Sequence, residues 1–392
     1  MRLSYEQILN VNPSVYTQFR PALTQLPKIL NLTSDCVVGN GAGYNQDAIY
    51  GSFGEYIERY HFYNEVKSSK KALFSDLLKD NNYKKLIDMI GQIKQTRDDP
   101  DSHIFEWVAV RNILTNEDCF YPLVMISMAH AQSPDRKFIP FIDSCGQSSH
   151  ITKEEAFKSS LNEFIERQAL IGSWLSKKAK YKISIETHPL LGNMNYIVDM
   201  LNHFGELTAF DLGNQLPGYN LIIFYFSKSS KDCVKYSVGM ASSGDPVDAL
   251  IRAISELWQS YVFMYLNSDN PENLDPRYKY LNDLLQFNNL DTRNMIPFYH
   301  QKLVTFDTNQ LLQFHKIQLK EQIIQLKTIS EDIYAYESST TFMGKKVYFC
   351  KMMSPDFYLH MGIKMPLNFI NAYSKLLDIA SKIDIISPIP FP

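Results

Sequence analysis

Cysteine is scarce in this chain, and the few cysteines are not arranged for cross-linking or for binding a metal. The five cysteines are scattered along 392 residues, with no C-x-x-C pair and no Cys/His cluster at zinc spacing. This pattern excludes a disulfide framework and a structural zinc site as organising features. Cys145 lies in a Gly/Ser-rich segment near His150 and leaves two interpretations open, a Cys/His nucleophile or a small buried thiol. We favour the buried thiol because no third group is evident that would orient the histidine.

Long apolar runs and dense positive charge are also missing. The strongest apolar run covers only 221–226, far too short to span a bilayer, and residues 1–7 are polar where a signal peptide would be apolar. The net charge is −3, and no basic stretch is dense enough to follow a nucleic-acid backbone. We therefore expect a globular, cytoplasmic protein with no membrane or nucleic-acid partner, while a short peptide partner stays open.

What the chain does contain is a carboxylate motif that occurs more than once. The pattern E-x-x-E-R recurs after 108 positions (163 minus 55), and a looser third copy follows. The members are Glu55, Glu58 and Arg59, then Glu163, Glu166 and Arg167, then Glu256 and Gln259. Because residues i and i+3 share a helix face, each copy directs two oxygen-bearing side chains the same way. One copy alone is more typical of a solvated helix surface, but oxygen donors from three helices would suit Mg²⁺ and the phosphates it carries.

The sequence around the motifs predicts helices, strands and turns in a repeated order. We predict motif helices at about 45–66, 153–178 and 246–266, strand pairs at 104–114 with 120–130 and at 221–227 with 234–240, a last strand at 345–353, and glycine- or serine-rich turns at 39–43, 144–149 and 241–244. A capping box over 152–155 and an aspartate–proline start at 245–246 mark the beginnings of two helices. Residues 1–35 have no clear period, and 67–100 and 267–340 look like polar helices and loops.

Strand pair, turn and motif helix occur twice in the same order, which predicts an α+β fold with duplicated units. The helices should be layered on mixed or antiparallel sheets. The predicted organisation is a lead-in over 1–40 and one domain over 41–392, with repeat-like units at about 41–140, 141–205 and 206–270 and a C-terminal segment at 271–392.

The chain ends in alternate prolines, S-P-I-P-F-P over 387–392. Alternate prolines hold a backbone extended and remove hydrogen-bond donors, so this end could be a stiff strut that carries the terminal carboxylate to a fixed point. The alternative is a frayed end, as is common for chain termini.

With these motifs together, the chain resembles the YcaO family, and within it the cyclodehydratase (D) subunits of microcin-type thiazole/oxazole synthetases. The resemblance rests on the paired E-x-x-E-R motifs, the residues 54–65, 256–261 and 354–361, and the proline-rich end, and it covers about 40–392. It implies a YcaO-type fold around a central nucleotide site and an enzyme that uses ATP and Mg²⁺ to activate a peptide amide oxygen. A Cys, Ser or Thr side chain of a ribosomally made precursor peptide then attacks the preceding carbonyl, which gives a thiazoline or oxazoline.

The resemblance also implies roles for individual residues. Glu55, Glu58, Glu163 and Glu166 would hold Mg²⁺ and phosphates, with Ser52, Arg59, Arg167, Arg252, Glu256 and Gln259 completing the nucleotide site. The carboxylate of Pro392 would orient or deprotonate the substrate. Three positions depart from the family pattern: Asn40 stands where lysine is frequent, Gly51 where serine is, and Gln168 where aspartate is.

Partners follow from the same resemblance. An E1-like subunit would recruit the leader of the precursor peptide, and an FMN-dependent dehydrogenase would oxidise azolines to azoles, so FMN and zinc are expected only in partner chains. Two alternatives remain at this point: a non-catalytic subunit that binds peptide or partner, and a YcaO enzyme that forms a thioamide or amidine. A two-metal phosphatase or nuclease is less favoured, because its carboxylates usually lie with histidines at strand ends.

Overall fold

A computed structural model of the chain describes residues 14–18, 26–33, 37–44, 46–77, 80–267, 285–290, 292–360, 367–379 and 389–391. The strands are β1 (Ser14–Gln18), β2 (Lys28–Thr33), β3 (Val38–Gly43), β4 (Lys70–Ala72), β5 (Phe105–Asn112), β6 (Asp118–Pro122), β7 (Gln147–His150), β8 (Tyr181–Ser184), β9 (Gly205–Asp211), β10 (Tyr219–Ser227), β11 (Tyr236–Ser243), β12 (Thr305–Asp307), β13 (Tyr334–Phe342) and β14 (Lys345–Met353). The α-helices are α1 (Asp47–Asn64), α2 (Asp80–Ile93), α3 (Leu123–Ile126), α4 (Lys153–Ser176), α5 (Asn195–Phe204), α6 (Pro246–Asn267), α7 (Thr292–Met295), α8 (Thr308–Leu312), α9 (Leu319–Lys327) and α10 (Ala372–Leu376).

The strands form three sheets. Their orders are β1-β2-β3, β11-β10-β9-β8-β12 and β4-β5-β13-β14-β7, with β6 paired to β5. The β8–β12 pair is parallel, and the other recorded pairs are antiparallel. The predicted α+β class with mixed or antiparallel sheets is confirmed. No helix within these described ranges has the length and apolar character needed to cross a membrane.

The three motif helices α1, α4 and α6 begin close to their predicted positions. The Thr152 hydroxyl accepts a hydrogen bond from the Glu155 N–H at 3.3 Å, which caps α4. The Asp245 carboxylate accepts from the Val247 N–H at 3.0 Å, and α6 then starts at Pro246. Side-chain oxygens here satisfy backbone donors that the first turn of a helix leaves unpaired.

The glycine-rich segment 39–43 was predicted as a turn, and this is wrong, because it is strand β3. A Cβ atom on Gly41 would lie 2.1 Å from the Ala48 carbonyl oxygen, so the glycines allow β3 to lie directly against the backbone of α1. The predicted turn at 241–244 is likewise mostly strand, since β11 runs to Ser243. The predicted turn at 144–149 overlaps strand β7, which begins at Gln147. Each motif helix therefore follows a strand.

The predicted hairpin over 104–130 is correct for its first half only. Strands β5 and β6 pair antiparallel as expected, but β6 ends at Pro122, whose missing N–H cannot continue the ladder. The buried residues of α3 follow where more strand was predicted. The sequence analysis also predicted none of the strands β1, β2, β4, β8, β9, β12 and β13. The division of the chain into repeat-like units stays a prediction, and its first boundary at residue 40 falls inside β3.

Two apolar cores hold these layers together. One joins α4 and α6 to the sheet of β8–β11, and the other joins α1 and α2 to β5, β13 and β14. The faces of α1, α4 and α6 that do not pack in these cores carry the glutamates and arginines of the motifs.

Candidate nucleotide and magnesium site

The backbone of the strands fixes the carboxylates of the motif helices. Glu55 Oε2 accepts from the Asn40 N–H of β3 at 2.7 Å, and Glu256 Oε2 accepts from the Met240 N–H of β11 at 2.7 Å. These glutamates occupy equivalent places, seven residues after Ala48 and Ala249 (55 minus 48 and 256 minus 249). The repeat in the sequence is therefore also a repeat in hydrogen bonding.

The second glutamate of each E-x-x-E-R motif reaches the strand before the next motif helix. Glu58 of α1 accepts from the Ser149 N–H of β7. Glu166 Oε2 of α4 accepts from the Ser242 N–H of β11 at 3.2 Å. These bonds link α1 to the strand before α4, and α4 to the strand before α6, so the strands connect the three motif helices at their carboxylate-bearing faces.

Burial gives the converged carboxyl groups unusual acidities. Desolvation raises the pKa of Glu58 to about 7, that of Glu163 to about 8 and that of Glu256 to about 7, and it also raises the pKa of Glu166. Like charge adds to this effect, since Glu58 raises the pKa of Glu163 and Glu166 raises the pKa of Glu256. The carboxyl groups thus interact electrostatically with one another, and a bound cation would reduce the repulsion between their ionised forms.

Two motif arginines offset part of this negative charge. Arg59 lies 3.6 Å from Glu55 Oε1 and 3.7 Å from Glu58 Oε1, and it donates to Gln147 Oε1 at 3.1 Å. Arg167 lies 3.5 Å from Glu166 Oε1. The neighbouring carboxylates raise the pKa of both guanidinium groups against the opposing effect of burial, so both remain charged.

The other predicted site residues are placed less uniformly. Arg252 is exposed and lies 3.9 Å from Asp248. Its positive charge nevertheless offsets part of the increase in the pKa of Glu166 and of Glu256. Gln259 is half-buried, one turn beyond Glu256 on α6. Ser52 has no exposed surface, and its hydroxyl donates to the Ile49 carbonyl at 3.1 Å, so it is not presented to a ligand. Pro392 lies outside the described residues.

The sequence analysis missed a buried lysine beside the carboxylates. Lys351 on β14 donates from Nζ to the Asp143 carbonyl at 2.7 Å, and its charge acts on Glu58 and Glu163. Burial lowers the pKa of this lysine to about 8. The available signal was a lysine inside the run V-Y-F-C-K-M-M of 347–353, where an interior strand position holds an ionisable group.

Two departures from the family pattern have structural explanations. The Gln168 side chain donates to the Tyr358 carbonyl and accepts from the Tyr358 N–H, both at 2.9 Å. A carboxylate cannot donate, so aspartate would not reproduce this pair. At position 40 the contact to Glu55 comes from the backbone and does not depend on the side chain.

The acidity of the Cys145 thiol favours a non-catalytic role for this residue. Burial raises the pKa of Cys145 well above its usual value, whereas a nucleophilic cysteine needs a lowered pKa. Within the described residues, Cys119, Cys145, Cys233 and Cys350 are free thiols.

The donor set fits a magnesium-bound nucleotide better than a closed metal cage. In the part of the chain that the structure describes, no three carboxylate, histidine or cysteine side chains lie close enough to hold one ion together. Mg²⁺ usually takes one or two protein carboxylates and completes its octahedron with phosphates and water. Several carboxylates near the half-buried Arg59 and Arg167 provide what such a complex requires.

Comparisons with known proteins agree with this assignment. The family model described as "YcaO cyclodehydratase, ATP-ad Mg2+-binding" matches residues 39–364. The microcin B17-processing protein McbD of Escherichia coli is 29% identical over 347 residues, which covers 85% of each chain. A chain in the structure of the E. coli microcin synthetase McbBCD complex with pro-MccB17 bound superposes with a TM-score of 0.82 at 26% identity, covering 96% of each chain.

A more distant match shares the fold alone. The structure of YcaO from Methanopyrus kandleri bound with AMPPCP and Mg²⁺ superposes with a TM-score of 0.58 at 15% identity and covers 88% of this chain and 85% of that chain.

The family model spans well over half of the sequence, and its description confirms the predicted ATP and Mg²⁺. The chain therefore belongs to the YcaO family.

Proposed function

We propose that this protein is the ATP-dependent cyclodehydratase subunit of a microcin-type azole synthetase. It would convert Cys, Ser or Thr residues of a ribosomally made precursor peptide to thiazolines or oxazolines. The observation that carries this proposal is the electrostatic coupling of Glu58, Glu163, Glu166 and Glu256 in one partly buried set with Arg59 and Arg167. The likeness to McbD, a microcin-processing protein, supports the choice of substrate class.

Each group in this set has a chemical task in the proposed reaction. Mg²⁺, when bound, supplies positive charge that neutralises the triphosphate. Glu55, Glu58, Glu163 and Glu166 would hold the metal and orient the phosphates, while Arg59 and Arg167 offset charge on the transferring phosphoryl group. Glu256, Gln259 and Arg252 would complete the nucleotide site. Ser52 could join only after a rearrangement, because its side chain is fully buried.

The proposed chemistry balances without an oxidant. The substrate side chain gives up its proton and attacks the preceding carbonyl carbon, which closes the ring. The resulting oxyanion takes the γ-phosphoryl group of ATP, and phosphate then leaves as the amide nitrogen loses its proton and the C=N bond forms. The products are the azoline, ADP and phosphate, and each ring lowers the peptide mass by one water. The terminal carboxylate of Pro392 would accept or direct a proton of the substrate.

Partners are part of the proposal. The matched E. coli structure is a complex of several subunits with a precursor bound. We therefore infer an E1-like subunit that binds the leader peptide and an FMN-dependent dehydrogenase that acts after ring formation. A cytoplasmic location goes with this function, because ATP and newly made peptide are both found there.

The test is the change Glu166→Gln, which keeps the side-chain shape and removes a charge from the centre of the set. We expect loss of ring formation and of peptide-dependent ATP hydrolysis, measured by peptide mass and phosphate release with partners present. Glu154→Gln, an exposed position on the same helix, should behave as wild type. Rings formed at the normal rate by Glu166→Gln would contradict the site assignment, and a mass gain instead of a water loss would indicate another YcaO chemistry.

A further inference from the structure

A row of buried polar side chains crosses the sheet of β9, β10 and β11 and ends at Glu166. Asp211 ends β9, Asn220 lies near the start of β10 and Ser242 lies near the end of β11, and at most 1% of each is exposed. The surrounding strands are largely apolar, since β10 continues after Asn220 as L-I-I-F-Y-F. Buried polar groups lower stability unless they are hydrogen-bonded, so the partners of this row determine its role.

The members of the row are joined to one another by hydrogen bonds. Ser242 Oγ donates to Asn220 Oδ1 at 2.8 Å, and the Asn220 N–H donates to Asp211 Oδ1 at 3.2 Å. Asn220 Nδ2 donates to the Pro217 carbonyl at 3.2 Å. Because a carbonyl can only accept, this last bond determines which end of the amide faces the Ser242 hydroxyl. The acceptor for that hydroxyl is thus held in one orientation.

The turn after β9 anchors the far end of the row. The Gly213 N–H donates to Asp211 Oδ1 at 2.8 Å, and Lys180 Nζ lies 3.7 Å from Asp211 Oδ2. A Cβ atom on Gly213 would lie 2.8 Å from Asn220 Nδ2 and 2.9 Å from Asp211 Oδ1, so glycine leaves the space that these two side chains occupy. Backbone contacts and one cation therefore hold Asp211 and Asn220 in place.

The near end of the row reaches the carboxylate set of the nucleotide site. The Ser242 N–H donates to Glu166 Oε2 at 3.2 Å. Ser242 is therefore held from two directions, by Asn220 through its hydroxyl and by Glu166 through its N–H. Since the hydroxyl bond restrains the whole residue, it also restrains the backbone donor that orients the Glu166 carboxylate.

We propose that Ser242 and Asn220 are positioning residues for Glu166, and that their hydrogen bonds set the strength of Mg²⁺ binding at the nucleotide site. The inference rests on the proposed function, which gives Glu166 the task of holding Mg²⁺ and phosphates. Neither residue needs to touch the metal or the substrate. Loss of a partner that orients a metal ligand typically lowers metal affinity or activity by about tenfold to a hundredfold.

The first experiment is Ser242→Ala, which removes the hydroxyl and keeps the backbone N–H. Titration calorimetry with ATP at a series of Mg²⁺ concentrations gives the Mg²⁺ requirement, the free Mg²⁺ concentration at which ATP binding is half-maximal. We expect this requirement to rise by about tenfold in Ser242→Ala, because the donor to Glu166 is no longer fixed.

The matched control is Ser237→Ala on the same strand. It removes a buried hydroxyl that donates to the Leu257 carbonyl at 2.9 Å and has no recorded bond to the row. Its loss of one buried hydrogen bond is comparable, yet it should leave the Mg²⁺ requirement unchanged. Equal Mg²⁺ requirements in Ser242→Ala and Ser237→Ala would overturn the proposal.

Excess Mg²⁺ separates positioning from a general loss of structure. If Ser242→Ala only weakens the hold on the metal, saturating Mg²⁺ should restore kcat for ring formation in the complete synthetase. The KM for the precursor peptide should stay at the wild-type value. A kcat that stays low at every Mg²⁺ concentration would contradict a role in metal binding.

A double variant tests whether Asn220 acts through Ser242. Asn220→Ala should raise the Mg²⁺ requirement, and adding Ser242→Ala should raise it no further than the larger single effect. Effects that multiply would mean that Asn220 acts by another route, which contradicts the proposal. Because ATP binding is measured without peptide, the expected change in Mg²⁺ requirement in a protein that forms no ring with its partners would refute the proposed function and not this inference.

Discussion

Lys351 determines part of the charge balance at the nucleotide site. It lies on β14, is nearly completely buried, and donates to the carbonyl of Asp143. Its pKa is lowered to about 8 by burial, and the nearby Glu163 works against that decrease. An ammonium has three donors, so Lys351 can also bind an anion that enters the site.

We predict that Lys351→Met weakens the binding of Mg²⁺-ATP by about tenfold to a hundredfold, because one charge-assisted contact is worth about 1.5–3 kcal/mol. Methionine keeps the unbranched side chain and removes the charge. Titration calorimetry with Mg²⁺-ATP measures the effect. Lys346→Met removes a lysine at an exposed position of the same strand and should leave the affinity unchanged. Equal affinities for the two variants would show that Lys351 does not contact the nucleotide.

At the scale of elements, the close approach of strand and motif helix is the main feature that local sequence patterns failed to reveal. The helices were predictable because their apolar residues recur with helical period and their first turns have caps. Glycines usually indicate turns, and here they indicate a strand in backbone contact with a helix. That contact depends on residues far apart in the sequence.

The same reasoning explains the other errors. Strand β13 has a burial pattern that changes from buried to exposed along its length, so its residues do not alternate clearly in polarity. The position of Lys351 beside Glu163 depends on how β14 packs on α4, which no spacing along the chain records. Helical geometry predicts which side chains of each E-x-x-E-R share a face, and the recurrence of the motif suggested that the copies act together.

We predict that Gly239→Ala destabilises the protein strongly. A Cβ atom there would lie 2.1 Å from the Leu257 backbone nitrogen and 2.4 Å from the Ala253 carbonyl oxygen, so β11 and α6 must move apart. The expected decrease in the free energy of unfolding is about 3 kcal/mol, at the upper end for overpacking, because backbone atoms cannot rotate away. Chemical denaturation of the isolated chain measures it.

The control is Gly91→Ala on the exposed face of α2, where an added Cβ meets nothing within 4 Å. Alanine in a helix is better than glycine by about 0.5–1 kcal/mol, so this variant should be slightly more stable than wild type. If Gly239→Ala unfolds at the same denaturant concentration as Gly91→Ala, then β11 does not lie against α6 as described.

For the whole molecule, the convergence of three helices on one set of carboxyl groups links stability to pH. The folded-state pKa values of about 7 for Glu58, about 8 for Glu163 and about 7 for Glu256 lie above the usual glutamate value of 4.5. The folded chain then binds more protons than the unfolded chain in this window. The stability contributed by these groups is complete below the unfolded pKa and is lost as pH rises through the folded pKa values.

We therefore predict that the protein without nucleotide is less stable at about pH 8 than at about pH 6, measured by thermal unfolding. The window ends near pH 8, because the lowered pKa of Lys351 acts in the opposite direction above that value. Mg²⁺-ATP binds the ionised carboxylates, so it should raise the unfolding temperature more at the higher pH. Glu163→Gln removes the group with the highest of these carboxyl pKa values and should make both the decrease and the extra stabilisation smaller. The contradicting result is an increase in unfolding temperature with Mg²⁺-ATP that is the same at both pH values, in wild type and in Glu163→Gln. The carboxyl groups would then not bind the metal in ionised form. The convergence of the three helices would be a feature of the fold without a role in binding.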